Sequence, residues 1–182
     1  HGNNLLVSTC PSATAYSQEL ASGNSVASAG AVGDTTVTVD DVDLASNVIN
    51  VGDIIQFSTT ATTTDFDDGE LYRVTAVNTG TNVVTFVQHP RGSGGLKRIV
   101  ADNSRIKRKW RYADAVDGGA PGTSAYVSDR SGSGDEIHVV VVDEDGGITG
   151  VPGQVIETFS KLSKAADALT PQGDINYLPT VI

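Results

Sequence analysis

The sequence predicts an α+β chain, mixed and β-rich: a β-sheet host domain with flanking short helices, carrying an inserted small all-β barrel or sandwich module. Three observations predict it. Between residues 34 and 89, short Val, Ile, Thr and Phe runs alternate with polar residues and are broken by turn signals, which is the pattern of short strands. Gly-rich stretches at 21–33 and 91–95 flank that segment and read as the two connections of an inserted domain. Further on, Ile137-His138-Val139-Val140-Val141-Val142-Asp143 holds four successive Val, which suits a strand covered on both faces. The expected division is residues 1–29 and 96–182 for the host and 30–95 for the module.

Taken in order, Leu5 to Thr9 reads as a strand, and the lone Cys10 after it as a small core residue. Module strands are expected at Thr35 to Asp40, Asp53 to Ser58, Glu70 to Asn78 and Asn82 to His89. The last two are joined by a Gly-containing hairpin loop, Asn78-Thr79-Gly80-Thr81. In the fourth strand Val84 and Phe86 share one face and Val83, Thr85 and Val87 the other, as in a small closed barrel or sandwich. A host strand is expected over 105–112, with Ile106, Arg108, Trp110 and Tyr112 on one face and Lys107, Lys109 and Arg111 on the other. Residues 117–124 are turn-rich and 144–153 can only be turn. From Gln154 the apolar positions Val155, Phe159, Leu162, Ala166 and Leu169 fit a helical stripe, while Val155, Glu157 and Phe159 fit a strand face. The expectation is a strand from Gln154 to about Ser160 pairing with the Val strand, then a short helical piece through Ala168 stopped by Pro171.

A chain of 182 residues can bury roughly 70% of its unfolded surface, and a single Cys makes no internal disulfide. The net charge of −10 argues against a general nucleic-acid binder, because phosphate affinity comes from many Lys and Arg. No apolar run approaches the roughly 18 residues of a membrane span, and the N-terminus lacks the layout of a secretion signal. Without Met, opening at His1-Gly2-Asn3-Asn4-Leu5 and closing at Thr180-Val181-Ile182, the chain reads as an internal fragment. Charge is partitioned along it: residues 1–90 sum to −9, 91–111 to +7 and 112–182 to −8. The central block is a basic belt, Arg91, Lys97, Arg98, Arg105, Lys107, Arg108, Lys109 and Arg111. Such a belt could hold the acidic blocks together or attract another copy's acidic surface.

Catalytic signatures are absent: no nucleophile elbow, no dinucleotide or phosphate loop, and no metal-binding spacing among His1, His89 and His138. His138 reads as a satisfied, partly buried imidazole. The acidic loops Asp65-Phe66-Asp67-Asp68-Gly69-Glu70 and Asp143-Glu144-Asp145-Gly146-Gly147 both fail the helix-loop-helix calcium pattern, whose twelfth position is Ala76 in one and Gln154 in the other. Asp135, Glu136, Asp143, Glu144 and Asp145 could in principle serve glycoside hydrolysis. However, one Trp, five Tyr and four Phe are few for sugar platforms. No catalytic residue, metal or cofactor is expected.

Several stretches together resemble a known family. These are Trp110-Arg111-Tyr112, Ala120-Pro121-Gly122-Thr123-Ser124, the run from Asp135 to Gly146, Ile148-Thr149-Gly150, Pro152 to Phe159, Leu162-Ser163-Lys164-Ala165, Gln172-Gly173 and Asn176-Tyr177. In order and spacing they are similar to the tail sheath protein of contractile-tailed bacteriophages over residues 105–182. Gly2 to Ser8 is similar to a strand near the start of the same domain. Val51-Gly52-Asp53-Ile54-Ile55 and Gly69 to Val74 carry a weaker likeness. Where the family often has an aromatic pair after the Asn, this chain has Tyr177-Leu178, and Pro179 fits a following helix only near its first turn.

The resemblance implies a structural virion protein without enzymatic activity. Its subunits would stack as six-fold rings into a helical assembly around the tail tube, contracting to drive the tube through the host envelope. It implies other copies of the sheath protein as partners, the tail tube and baseplate through parts not in this sequence, and a location in the phage tail after synthesis in the host cytoplasm. Lys107, Lys109 and Arg111 are the candidate inter-subunit contacts. Two other functions compete. Residues 34–89 could be a surface-exposed β module binding a host glycan or protein, for which Phe57, Phe66, Tyr72 and Phe86 are the available aromatics. The carboxylates around residues 135–145 could instead belong to an extracellular glycosidase.

Overall fold

The computed structural model describes residues 4–43, 48–61, 63–67 and 69–182. Its strands are β1 (Leu5–Cys10), β2 (Ser17–Glu19), β3 (Thr36–Thr38), β4 (Ile54–Ala61), β5 (Leu71–Asn78), β6 (Val83–His89), β7 (Ser104–Lys109), β8 (Glu136–Asp143) and β9 (Gln154–Ser163). Among the described residues helix is confined to single turns, α1 (Ala13–Tyr16), α2 (Ala125–Ser128) and α3 (Leu178–Val181), besides short 3₁₀ turns at Ser22–Asn24 and Ala113–Ala115. The fold is therefore mostly β, with two antiparallel sheets. The chain divides into two compact units, Ser17–Arg111 and His1–Tyr16 with Tyr112–Ile182.

In the Ser17–Arg111 unit one sheet runs β2-β7-β4-β5-β6-β3. The four module strands read from alternation all form, and the hairpin between β5 and β6 is closed by Asn78, whose side-chain oxygen accepts the Gly80 and Thr81 N–H groups. Val84 and Phe86 point to the core as their spacing requires, and Phe57, Tyr72 and Phe86 meet there with ring centroids 5.1–5.8 Å apart. Each such ring contributes about 1.5–3 kcal/mol by burial, and each tilted pair about 0.5–1.5 more.

The division expected at residues 30 and 95 does not hold. β7 pairs with β4 from Ile54↔Lys109 to Phe57↔Ile106 and with β2 on its other side, so residues 104–109 belong to the module's sheet. Nor are the Gly-rich stretches linkers. Val26 is buried, and Ser25–Ala27 hydrogen-bonds residues 38 and 40 on one side and 103 and 104 on the other. Leu96 and Val100 are core residues too. Gly95 is required by packing, since a Cβ there would overlap the Gly33 and Asp34 carbonyl oxygens.

The other unit is built on the three-stranded sheet β1-β8-β9. β8 is central as expected, with Val7 opposite Val141 on β1 and Thr158 opposite Val140 on β9. β9 continues past the expected end to Ser163, and no helical piece follows. The extra residues stay paired with β8, Leu162 opposite Ile137 and Ser163 opposite Glu136. Ser163 N–H and Lys164 N–H then bond the Asn176 and Asp135 carbonyls, and the Ala168 carbonyl accepts the Asn176 N–H, so the segment is held by residues from elsewhere in the chain. Leu169 instead bridges Ile175. Ser124 caps α2, a turn the sequence reading missed although Ser before Ala-Tyr-Val is a start signal. Pro179 sits in the first turn of α3, where its missing N–H costs nothing.

Candidate functional site

β7 carries most of the basic belt, and its register decides what each base can reach. Ser104 and Ile106 are buried on the core face, and Arg108 on that face emerges at the rim. There its guanidinium donates to the Val48 carbonyl at 2.9 Å and lies 3.9 Å from Asp53. Burial pushes the Asp53 carboxyl above its ordinary value, against the Asn50 N–H and the Arg108 and Arg111 charges. On the opposite face Arg105 pairs with Glu19 at 3.1 Å. Lys107 and Lys109 follow on that face, half-buried, and the Lys107 ammonium lies 5.6 Å from the Phe66 ring centroid.

Arg111 does not share their strand face as expected, because β7 ends at Lys109 and the chain turns at 111–112. Trp110 and Tyr112, expected beside Ile106 and Arg108, also lie past the strand end. Arg111 instead lies over Gly52 and donates to the Val51 carbonyl. Gly52 has φ +93°, and any side chain there would collide with the guanidinium. Elsewhere in the belt Arg98 pairs with Glu70 at 2.6 Å and donates to the Phe57 and Ser58 carbonyls, while the Lys97 ammonium donates to Gly69 O. The bases therefore mostly serve the unit's own backbone and carboxylates.

The acids around β8 are likewise put to structural use. Asp135 accepts the Ser124 N–H and hydroxyl, both at 2.8 Å, and the Ser163 hydroxyl. Burial opposes its charge, but the Ser163 and Ser124 donors outweigh burial and hold the carboxyl below its ordinary range. Asp143 accepts the Ile148 and Thr149 N–H groups and the Thr149 hydroxyl, stapling the turn between β8 and β9. The Thr149 N–H, above all, holds that carboxyl low. Asp135 and Asp143 stand about 26 Å apart along an extended strand, against the roughly 5–9.5 Å that paired glycosidase carboxylates need.

His138 is fully buried. Its Nδ1 accepts the Lys161 N–H at 3.1 Å, which requires the Nε2–H tautomer, and Nε2 donates to Gly119 O at 2.8 Å. Cys10 is buried beside it, opposite on β1. Of the acidic loop at 65–70, Asp68 lies outside the described residues, as do Gly2 and Asn3 of the opening strand.

No protein-family model matches this chain. No curated protein matches it either. Among the described residues no group of three or more His, Cys, Asp or Glu could hold a metal ion, and no helix is long and apolar enough to cross a membrane. The residues that the sequence reading missed are anchors: Ser124 and Ser163 lie 11 and 28 positions from Asp135, the carboxylate that they share. No local motif could announce them.

Proposed function

We propose that this chain is part of a contractile tail sheath subunit, a structural virion protein without catalytic residues. In it the unit built on β1, β8 and β9 is the sheath domain, and Ser17–Arg111 is an inserted, closed β-barrel. The observation that carries the reading is the run from Asp135 to Phe159, whose length and Gly and Pro placement resemble the sheath family. The residues of that run have roles that explain the placement. Asp143 caps the turn, and Gly146, Gly150 and Gly153 adopt φ of 77–83° in it. The barrel reading is supported by Ser25–Ala27, which joins the β3 margin to the residues preceding β7.

Under this reading six-fold rings of the same protein surround a tail tube, and baseplate and tube contacts lie in parts outside this sequence. Lys107 and Lys109 would meet a neighbouring copy through whatever their own unit leaves uncovered. A glycan-binding role for the module has less support, since Phe57, Tyr72 and Phe86 are buried in its core. The test is co-expression of the protein that contains this chain with a tail-tube protein of a contractile phage tail, followed by electron microscopy. Cylinders of stacked six-fold rings are expected. A protein that stays monomeric beside assembled tubes would overturn the reading.

A further inference from the structure

The unit formed by His1–Tyr16 and Tyr112–Ile182 holds a cleft of about 580 Å³ between α2, the end of β9 and the loop after it, a volume typical of small-molecule sites. Tyr126, Leu169 and Pro171 give it apolar surface. Asp129, Lys161 and Gln172 also line it, and four further polar side chains share a pattern: each has spent part of its hydrogen-bonding capacity on the protein and is fixed by doing so. Ser160 Oγ accepts the Asp117 N–H at 3.0 Å and Thr170 Oγ1 accepts the Asp174 N–H at 3.1 Å, so both hydroxyl protons remain to be donated. Asn176 donates one N–H of its NH₂ to the Lys161 carbonyl at 3.1 Å, which orients its side-chain carbonyl. Glu136 Oε2 accepts the Gly122 N–H at 2.8 Å, leaving Oε1.

The wall therefore offers positioned donors and positioned acceptors side by side. A phosphate would use only the donors and an ammonium only the acceptors. A hydroxyl group donates and accepts at once, so a ligand with adjacent hydroxyls uses the whole set. The apolar surface suits the C–H face of a sugar ring, and Tyr126 is held rigid for it. The Arg130 guanidinium stacks 3.6 Å from its ring centroid, and its hydroxyl donates to Asp167 at 3.0 Å. We infer that this cleft binds a neutral saccharide through one pyranose ring. The assignment is independent of the sheath reading.

Proton–nitrogen NMR of the 182-residue chain, titrated with glucose, galactose, mannose and N-acetylglucosamine to about 50 mM, tests it. At least one sugar should give saturable shifts at Tyr126, Lys161, Thr170 and Asn176 with a Kd on the order of millimolar. Gln172 lines the cleft and is exposed, so Gln172→Ala should fold normally and weaken binding about threefold. Ala125→Trp, an exposed position on the same wall, should fill the cleft and abolish the shifts while the rest of the spectrum is kept. Absence of saturation with all four sugars, shifts that survive Ala125→Trp, or an equal response to inorganic phosphate or lysine amide would each overturn the proposal.

Discussion

The two units solve the same problem, stabilising a small sheet, in different ways. In Ser17–Arg111 the β3 margin is taken up by Ser25–Ala27, and three aromatic rings fill the interior. In the other unit β1 and β9 are the two margins of the sheet, and Leu5 and Val7 on β1 are 53% and 57% exposed. Its centre is held by polar anchors instead: Asp135 and Asp143 at the ends of β8, and His138 within it. A sheet packed around an aromatic cluster draws much of its stability from apolar contact, beside the bonds that Arg98 makes to its backbone. An open one must fix its register by hydrogen bonds, because apolar contact does not resist sliding. The Ser17–Arg111 unit should therefore be most sensitive to lost volume, and the β1-β8-β9 sheet to lost polar partners and to acid.

The largest expected effect is in the Ser17–Arg111 unit. Phe86→Ala removes a fully buried ring touching Phe57 and Tyr72 and should cost about 3–5 kcal/mol. Urea unfolding followed by Trp110, the sole Trp and a residue of that unit, should show the loss. Amide signals from β8 should keep their own midpoint. If both units lose stability together, they share one cooperative transition and the comparison fails.

Next comes Asp135→Ala, which strips the partner from two Ser hydroxyls and an N–H in a buried site and should cost about 2–3 kcal/mol. Acid acts on the same anchors. The Asp135 and Asp143 carboxyls lie below the ordinary value of 3.8 in the folded state, so their stabilisation is complete above pH 3.8 and is lost as pH falls through their folded values. Asp53 has the opposite sign. Its folded value is raised, so its ionisation costs stability at neutral pH, and that cost is relieved as pH falls towards 3.8. Hydrogen exchange on an acid series should show the β8 amides opening first below pH 3.8, before those of β4. Simultaneous opening would refute the difference.

The strands of the Ser17–Arg111 unit were legible in the sequence because alternation and turn residues are local signals, as with Val84, Phe86 and the Asn78 turn. The place of β7 was not. Its pairing with β4 spans some fifty residues, and its bases read as a belt on a host strand although Ile106 is in the core of the other unit. In the open unit the Val run announced β8, but the length of β9 depended on Asp135 and Asn176, which bond its end from elsewhere in the chain. Of the candidate site, the alternation of Lys107 and Lys109 was visible and the end of the strand before Arg111 was not. The cleft residues carry no pattern at all, since they converge only through the fold.

A smaller effect sharpens the account of the open sheet. Lys161 has φ +55° beside the register shift where β9 passes His138, a conformation that costs a non-Gly residue roughly 1–2 kcal/mol. Lys161→Gly keeps the N–H that His138 accepts. Relief of that strain, less the greater chain entropy of Gly, should leave the unit more stable by up to about 1 kcal/mol. A thermal melt of this variant beside His138→Leu, which removes the acceptor and should destabilise, distinguishes register anchoring from simple packing. A less stable Lys161→Gly would show that the Lys side chain itself holds the bulge.

The smallest effect concerns the belt. Lys107 and Lys109 are half-buried on β7, on the face that Arg105 shares with Glu19, whereas Arg111 bonds the Val51 carbonyl from outside the strand. Reversing Lys107 and Lys109 to Glu should therefore cost the unit only about 0–1 kcal/mol per residue, decreasing with added salt. Arg111→Ala should cost about 1 kcal/mol with a weaker dependence on salt, because a backbone hydrogen bond is lost along with the charge that faces Asp53. Melting at low and high ionic strength separates the two. In the full-length protein the same pair of reversals tests contact between copies: a normal melt with impaired assembly at low salt would assign Lys107 and Lys109 to a neighbour's acidic surface. Assembly that declines only in step with the melt would assign them to their own unit, the outcome expected from the partners that the rest of the belt already has.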